Sequence, residues 1–332
     1  HSAFGAAAIR ERALRILLWL FCSFVVAAYC QFAAAQSYPN RPVRLLVPFA
    51  PAGPTDIMAR VVGQRLTETR GWTVVVDNRP GAGGNFGSQL VARATPDGYT
   101  VMCHSSAFAV NVTLFAKPGY DARDFAPIIN SGVIPNLIFA HPSLPASTLK
   151  ELIALGKTKN LSYASSGIGT TPHLTAERLL KTLAKLDLTH IPYNSAGLAA
   201  NAVVSGEVQV GTAAVTAPAP FIKAGRLKGI VVTSLQRAPA LPDVPTAVES
   251  GFPGYEDYTW IAFFAPRGTP RAVVLKLNSE ITMVLQAPVV KERLAALGFD
   301  FMPNTPEQFS EYLKREIVKW GQVVKESGAR VD

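Results

Sequence analysis

The sequence predicts an α/β protein of two domains that face each other across a cleft. Three observations carry this. The chain has 332 residues, enough for two domains of ordinary size. Short β-like runs alternate with helical patterns in two successive regions. In each region, a loop of small residues follows a strand and opens a helix, which is where ligands sit in open α/β sheets. A composition of 48% hydrophobic and 17% charged residues excludes disorder and allows a large core.

The first 35 residues read as a secretion signal. Arg10, Arg12 and Arg15 form a positive start, and Ile16 to Tyr29 is almost continuously apolar. That run has the length of a signal core and is short for a membrane span. Ala33 to Ala35 supplies the small residues of a cleavage site, so cleavage is expected after Ala35 and the mature chain is expected to be exported across the inner membrane. A retained anchor is the alternative. Tyr29 stands where a lipoprotein signal requires a small residue before Cys30. No later segment is apolar enough to cross a bilayer, so the mature chain is expected to be soluble.

Removal of the signal takes Cys22 and Cys30 with it. Cys103 then stands alone, which excludes an intramolecular disulfide and a thiolate metal cluster. It reads as a small buried residue at a strand end, with His104 on the opposite strand face. The net charge is +9, and the signal accounts for +2 of it, leaving +7. The basic residues are scattered, with no aromatic-basic stripe, so no nucleic acid is expected as a partner.

Val43 to Val47 is a branched apolar run ending at Pro48 and predicts a strand. Thr55 to Thr69 places Ile57, Val61, Val62 and Leu66 near one face and predicts a helix, with Asp56 early in it. Val74 to Val76 predicts a second, buried strand, Gly87 to Ala94 a helix and Tyr99 to Cys103 a third strand. This order argues for a parallel sheet covered on both faces. In the second region, Leu137 to Ala140, Leu188 to Ile191, Val208 to Val210 and Ile230 to Thr233 predict strands, with a short one near Leu161 to Tyr163. Thr148 to Lys157, His173 to Leu183 and Ala199 to Val204 predict helices. Ala272 to Leu285, Val289 to Leu297 and Pro306 to Ser327 form a helical tail that is expected to return to the first domain.

Two loops carry the candidate chemistry. The loop from Pro48 to Asp56 contains Phe49, Ala52, Gly53 and Thr55, and it leads into a helix N-terminus. Unpaired backbone amides there suit an anion, while Asp56 serves either the ligand or the helix as a cap. The loop from Ser165 to His173 offers Gly167, Gly169, Thr170 and Thr171, with Pro172 suited to a first helical turn. His173 either meets the ligand or orients the loop. Ser105 and Ser106 follow the third strand and either contact ligand or form a turn. Phe49 and Trp260 serve as pocket walls or as ordinary core. A third loop, Asn78 to Gly87, follows the second strand rather than the first and lacks a suitable downstream acid, so it reads as structural rather than dinucleotide-binding. No Walker A, HExxH, Gly-x-Ser-x-Gly or CxxC motif occurs, and no cofactor or metal is expected. A serine-type hydrolase using Ser105 or Ser165 with His104 or His173 is the enzymatic alternative.

The runs YPNRPVRLLVPF from Tyr38, GPTD from Gly53, DNRPGAGGN from Asp77 and PDGY from Pro96 resemble the tripartite tricarboxylate transporter receptors, the Bug-type solute-binding proteins. So do HIPY from His190, IKAGRL from Ile222, LPDVPT from Leu241 and APRGTP from Ala265. The resemblance spans essentially the whole mature chain. It implies a bilobed, type II-like periplasmic-binding-protein fold, with residues 36–137 and 258–332 in lobe 1 and 138–257 in lobe 2. It implies a binding protein rather than an enzyme, monomeric, that closes on a small organic carboxylate: an amino acid, a di- or tricarboxylate, or an aromatic acid. Membrane subunits of a tripartite tricarboxylate transporter are the implied partner, an orphan sensor role being the alternative. Recognition is implied through backbone amides and waters of the two opposing loops, with Tyr193 and Ser195 on a further interdomain loop.

The chain departs from the family pattern at three places. Ala52 replaces the first of two glycines, where a methyl narrows the site or forbids a positive φ. Asn194-Ser195 replaces a Lys-Gly pair, and the loop expected after Val210, Gly211 to Ala214, lacks a terminal Asp. These departures imply a less polar pocket and favour an aromatic or other weakly polar monocarboxylate.

Overall fold

The computed structural model describes residues 38–327 and 331. The expected leader, residues 1–35, lies outside the described residues. Strand β1 (Val43–Val47) leads into helix α1 (Pro54–Arg70), then β2 (Val74–Asn78), α2 (Asn85–Ala92), β3 (Thr100–Ser105) and α3 (Ala107–Leu114). β1 pairs in parallel with both β2 and β3, which is the predicted βαβαβ unit. Helix α1 begins with Pro54 in its first turn, where the missing N–H costs nothing, and ends at Gly71 in the left-handed region. Its buried face includes Met58, Val61, Val62 and Leu66, each worth roughly 1.5–3 kcal/mol of burial. β2 corrects the sequence reading: it is the sheet edge rather than a buried strand, and Val75 is half exposed.

The second region runs β4 (Phe125–Ala140), α4 (Leu149–Gly156), β5 (Leu161–Ser165), α5 (Thr171–Ala176, continuing as π turns to Leu183) and β6 (Leu188–Pro192). It goes on through α6 (Ala196–Val204), β7 (Val210–Ala214), α7 (Ala219–Lys223) and β8 (Lys228–Val232). β9 (Tyr258–Pro266) then precedes α8 (Arg271–Gln286), α9 (Pro288–Ala296) and α10 (Pro306–Ser327). Gly211 to Ala214, read from sequence as a loop, is strand β7. Its small residues hide the strand pattern, yet Gly211 has to be small because a Cβ there would lie 2.3 Å from the Phe139 ring.

The sheet order is β2-β1-β3-β9-β4-β7-β5-β6, with β8 also on β4. β4 is the joint. Its residues Phe125 to Pro135 pair antiparallel with β9, whereas Asn136 to Ala140 pair with β7. Sequence reading found only its last four residues, because Pro127, Asn130, Gly132 and Pro135 look like turn residues. The strand absorbs them through register shifts at Pro127/Ile129 and Asn130/Gly132.

Two cores lie on either side of that joint. In one, Phe108 stacks on Phe264 at 4.6 Å, and Trp260 and Trp320 both donate their indole N–H to Glu316 at 2.9 Å. Trp260 is therefore core and no pocket wall. In the other, Leu152, Tyr163, Leu179 and Leu180 pack under α4 and the π turns after α5. The helical tail returns as expected: α10 lies on α3 and β4, and α8 lies on α1 and β4. Among the described residues, no single helix is long and apolar enough to cross a membrane.

Candidate functional site: a cavity among helix starts

The carboxyl ends of β1, β3, β5 and β6 point to one place. After each comes a short connection and a helix: α1, α3, α5 and α6. A cavity lies where these helices begin. Gly53, Pro54 and Thr55 line it from α1, and Ser105 lines it from the end of β3. Ser166, Thr170 and Pro172 line it from the connection into α5, and Ser195 and Ala196 from the start of α6. Phe49, Ala214 and Thr259 complete the wall. The innermost free space is about 30 Å³, room for roughly two water molecules or a group of similar size such as a carboxylate head.

The lining carries no charged side chain. Its polarity comes from hydroxyls and from helix starts. First-turn amides such as those of Thr55, Thr171 and Ala196 have no carbonyl in their own helix to bond. Each helix start also bears a fraction of a positive charge. Thr170 caps α5 by accepting from the His173 N–H, and Ser195 caps α6 by accepting from the Leu198 N–H. The two caps hold these helix starts in place. The arrangement concentrates positive potential in a confined space without any lysine or arginine, and such a site is suited to an anion.

The structure sorts the predicted residues into walls and supports. Phe49, Gly53, Thr55, Ser105, Thr170 and Ser195 are walls. Ser106 and Thr171 lie just behind, their hydroxyls 2.9 Å apart, and Thr171 bonds on to Thr259 at 2.6 Å. Asp56 is buried and does not line the cavity. One of its oxygens accepts from the Ala52 N–H and from Arg60, the other from Asn78, which also donates to the Phe49 carbonyl. Asp56 thus ties both ends of the first loop. Gly167 and Tyr193 belong to an adjoining outer chamber. Ser165 is wholly buried in β5. Gly169 meets Asn111: a Cβ on it would lie 2.0 Å from the Asn111 side-chain oxygen. Pro54, Ser166, Pro172, Ala196, Ala214 and Thr259 were missed from sequence, although Pro54, Ser166 and Pro172 sit inside the two loops that were singled out.

Ala52 adopts φ +68, so its methyl strains a left-handed turn rather than forbidding it. Ala52→Gly is expected to raise unfolding free energy by roughly 0.5–1 kcal/mol in urea melts. A loss of stability would show that methyl packing at this exposed turn outweighs the backbone strain.

His173 braces the second loop. Its Nδ1 accepts from the Gly169 N–H at 3.4 Å, and its ring stacks at 4.3 Å on His190, whose Nε2 meets the Ser165 hydroxyl at 2.7 Å. Burial lowers His173 to about 4 and His190 to about 3. Burial likewise lowers His104 to about 4. Each sits below its unfolded value of 6.5, so the unfolded chain takes up protons first. The stability due to the neutral rings is complete above pH 6.5 and is lost as pH falls towards 4, on the order of 2–3 kcal/mol per histidine. Melting temperature is expected to drop between pH 6.5 and 4.5, and a flat profile there would contradict the buried neutral rings.

The pairs proposed for hydrolysis do not form. His104 Nδ1 donates to the Ser105 carbonyl at 2.8 Å and leaves the Ser105 hydroxyl without a histidine. Two other serine–histidine pairs form among the described residues: Ser165 with His190, whose hydroxyl is sealed from solvent, and Ser143 with His141, which is exposed and does not line the cavity. Cys103 is buried, and burial, with Asp56 nearby, pushes its thiol well above its ordinary pKa.

The sequence model of the family described as tripartite tricarboxylate transporter family receptor matches residues 58–329. The chain belongs to this receptor family. It is 37% identical over 295 residues to the protein encoded in the tcbD–tcbE intergenic region of Pseudomonas sp. strain P51, covering 88% of each chain. Among solved structures, the periplasmic binding protein BugD superposes with a TM-score of 0.84 at 36% identity, covering 88% of this chain and 99% of that one. R. palustris Rpa4515, solved with adipate, superposes with a TM-score of 0.85 at 33% identity, covering 89% of this chain and 100% of that one. The receptor therefore has the bilobed periplasmic-binding-protein fold, and its cavity lies beside the joint in β4.

Proposed function

We propose that this receptor is a periplasmic solute-binding protein. It captures a small organic carboxylate in the cavity and delivers it to membrane subunits of a tripartite tricarboxylate-type transporter, without turnover. The observation that carries this is the convergence of the starts of α1, α5 and α6 and of the Ser105 hydroxyl at the end of β3 on a small cavity with no charged wall. The adipate held by R. palustris Rpa4515 supports a carboxylate. The lobes are residues 36–137 with 258–332, and residues 138–257. The change of partners along β4 and the start of β9 at Tyr258 support these boundaries.

Ligand binding selects the closed arrangement of the lobes. The test is a thermal-shift and calorimetric screen of amino acids, mono-, di- and tricarboxylates against the purified protein. A carboxylate at 100 times its Kd adds about 2.7 kcal/mol of stability. Absence of any shift across the panel, in folded ligand-free protein, would refute the reading.

A further inference from the structure

A second chamber adjoins the cavity. Phe49 and Ser166 are walls of both. The outer chamber has about 190 Å³ of free space, more than the ~150 Å³ that admits a benzene ring. Pro48, Ile168, Pro192 and Tyr193 give it apolar surface, and Gly81 to Gly84 give it bare backbone. Asn194 is also a wall, and no wall residue bears a charge. We infer that this chamber is a second compartment of the same binding site, holding the uncharged apolar body of a monocarboxylate whose head occupies the inner cavity.

The third glycine loop, which reads from sequence as structural, then becomes part of the ligand site. Its position is held firmly. Asn111 donates to the Gly83 carbonyl at 2.9 Å, and Phe49 stands edge-on to His104 at 5.3 Å. Gly83 and Gly84 have positive φ, so the turn leaves its backbone uncovered by side chains on the chamber side. A second carboxylate in this chamber would meet apolar rings and proline faces with no cation beside it, and desolvating it there costs several kcal/mol. A methyl or methylene chain in the same place gains by leaving water. The first-turn residues of α1, α5 and α6 line the inner cavity and not this one, whose backbone wall is the glycine loop leading into α2.

This inference rests on the carboxylate reading of the inner cavity, and the experiment separates the two. Calorimetry on the purified protein compares acetate, hexanoate and adipate; the last two share a six-carbon chain and differ by one carboxylate. Hexanoate is expected to bind at least tenfold tighter than adipate. Tyr193→Ala is expected to weaken hexanoate at least tenfold and to leave acetate nearly unchanged. Asn194→Lys, at an exposed position, places a cation at the wall and is expected to close the gap between hexanoate and adipate at least tenfold, which keeps the test decisive if Tyr193→Ala fails to fold. Adipate binding within tenfold of hexanoate, or tighter, overturns the apolar compartment while the carboxylate function stands. No binding by any of the three overturns the carboxylate reading and this inference with it.

Discussion

Gly53→Val is expected to weaken carboxylate binding at least 100-fold, about 2.7 kcal/mol, while leaving the fold intact. Gly53 has φ −96 and ψ 166, an extended conformation that valine adopts readily. A Cβ at this position meets nothing closer than 3.8 Å, at Ser195 and Ala196. The backbone therefore does not object, and the two further methyls of valine must go somewhere in a space of about 30 Å³. They fill the place of the ligand head and cover the start of α1. Stability is expected to change by less than about 1 kcal/mol, as for a substitution that buries apolar surface without strain. Gly53→Ala is the graded control, with an intermediate loss of affinity. Unchanged affinity in the valine variant would show that this helix start does not approach the ligand.

Gly83→Ala is expected to lower affinity at least tenfold by a different route, through closure rather than through the ligand. An added Cβ would sit 2.1 Å from the Ile168 carbonyl oxygen, a backbone atom that cannot rotate away. Gly83 also has φ +63, which costs alanine about 1 kcal/mol in any state of the protein. The strain term weakens the open and closed forms alike and does not enter binding. The overlap with Ile168 exists only when the two loops are together, so it is subtracted from ligand affinity. Small-angle scattering reads this directly. The radius of gyration of the parent protein is expected to contract on adding ligand, and that of Gly83→Ala is expected to stay unchanged. Equal contraction in both would show that the contact between these loops is not required for closure.

Much of the first loop was legible because its chemistry is local. A branched apolar run, a proline-glycine turn and an acid in the next helix turn specify strand, loop and helix start without distant help. The same holds for Ser165 to His173, where Thr170 and Pro172 mark the entry to α5. What stayed hidden depends on distant partners. Thr259 reaches the cavity because β9 inserts between β3 and β4, an arrangement that no local pattern announces, although its run of aromatic and branched residues marks a strand. Ala214 hides in a strand of small residues, of which Gly211 is kept small by Phe139 on the neighbouring strand. The glycine loop at 81–84 looks inert in sequence because backbone does its work, and its neighbours Ile168 and Tyr193 come from the distant connections after β5 and β6. Asp56 shows the converse: an acid beside a predicted anion site looks like a contact, yet three donors hold it as a tie for the loop.

The most direct measurement is a crystal structure of the protein soaked with a carboxylate that stabilises it in the thermal screen. The expected result is a carboxylate with its oxygens about 3 Å from first-turn amides of Thr55, Thr171 or Ala196 and from the hydroxyls of Ser105, Thr170 or Ser195. A carboxylate bound instead on the surface groove beside Asn130, Asn304 and Tyr312, with the cavity among the helix starts holding only water, would contradict it.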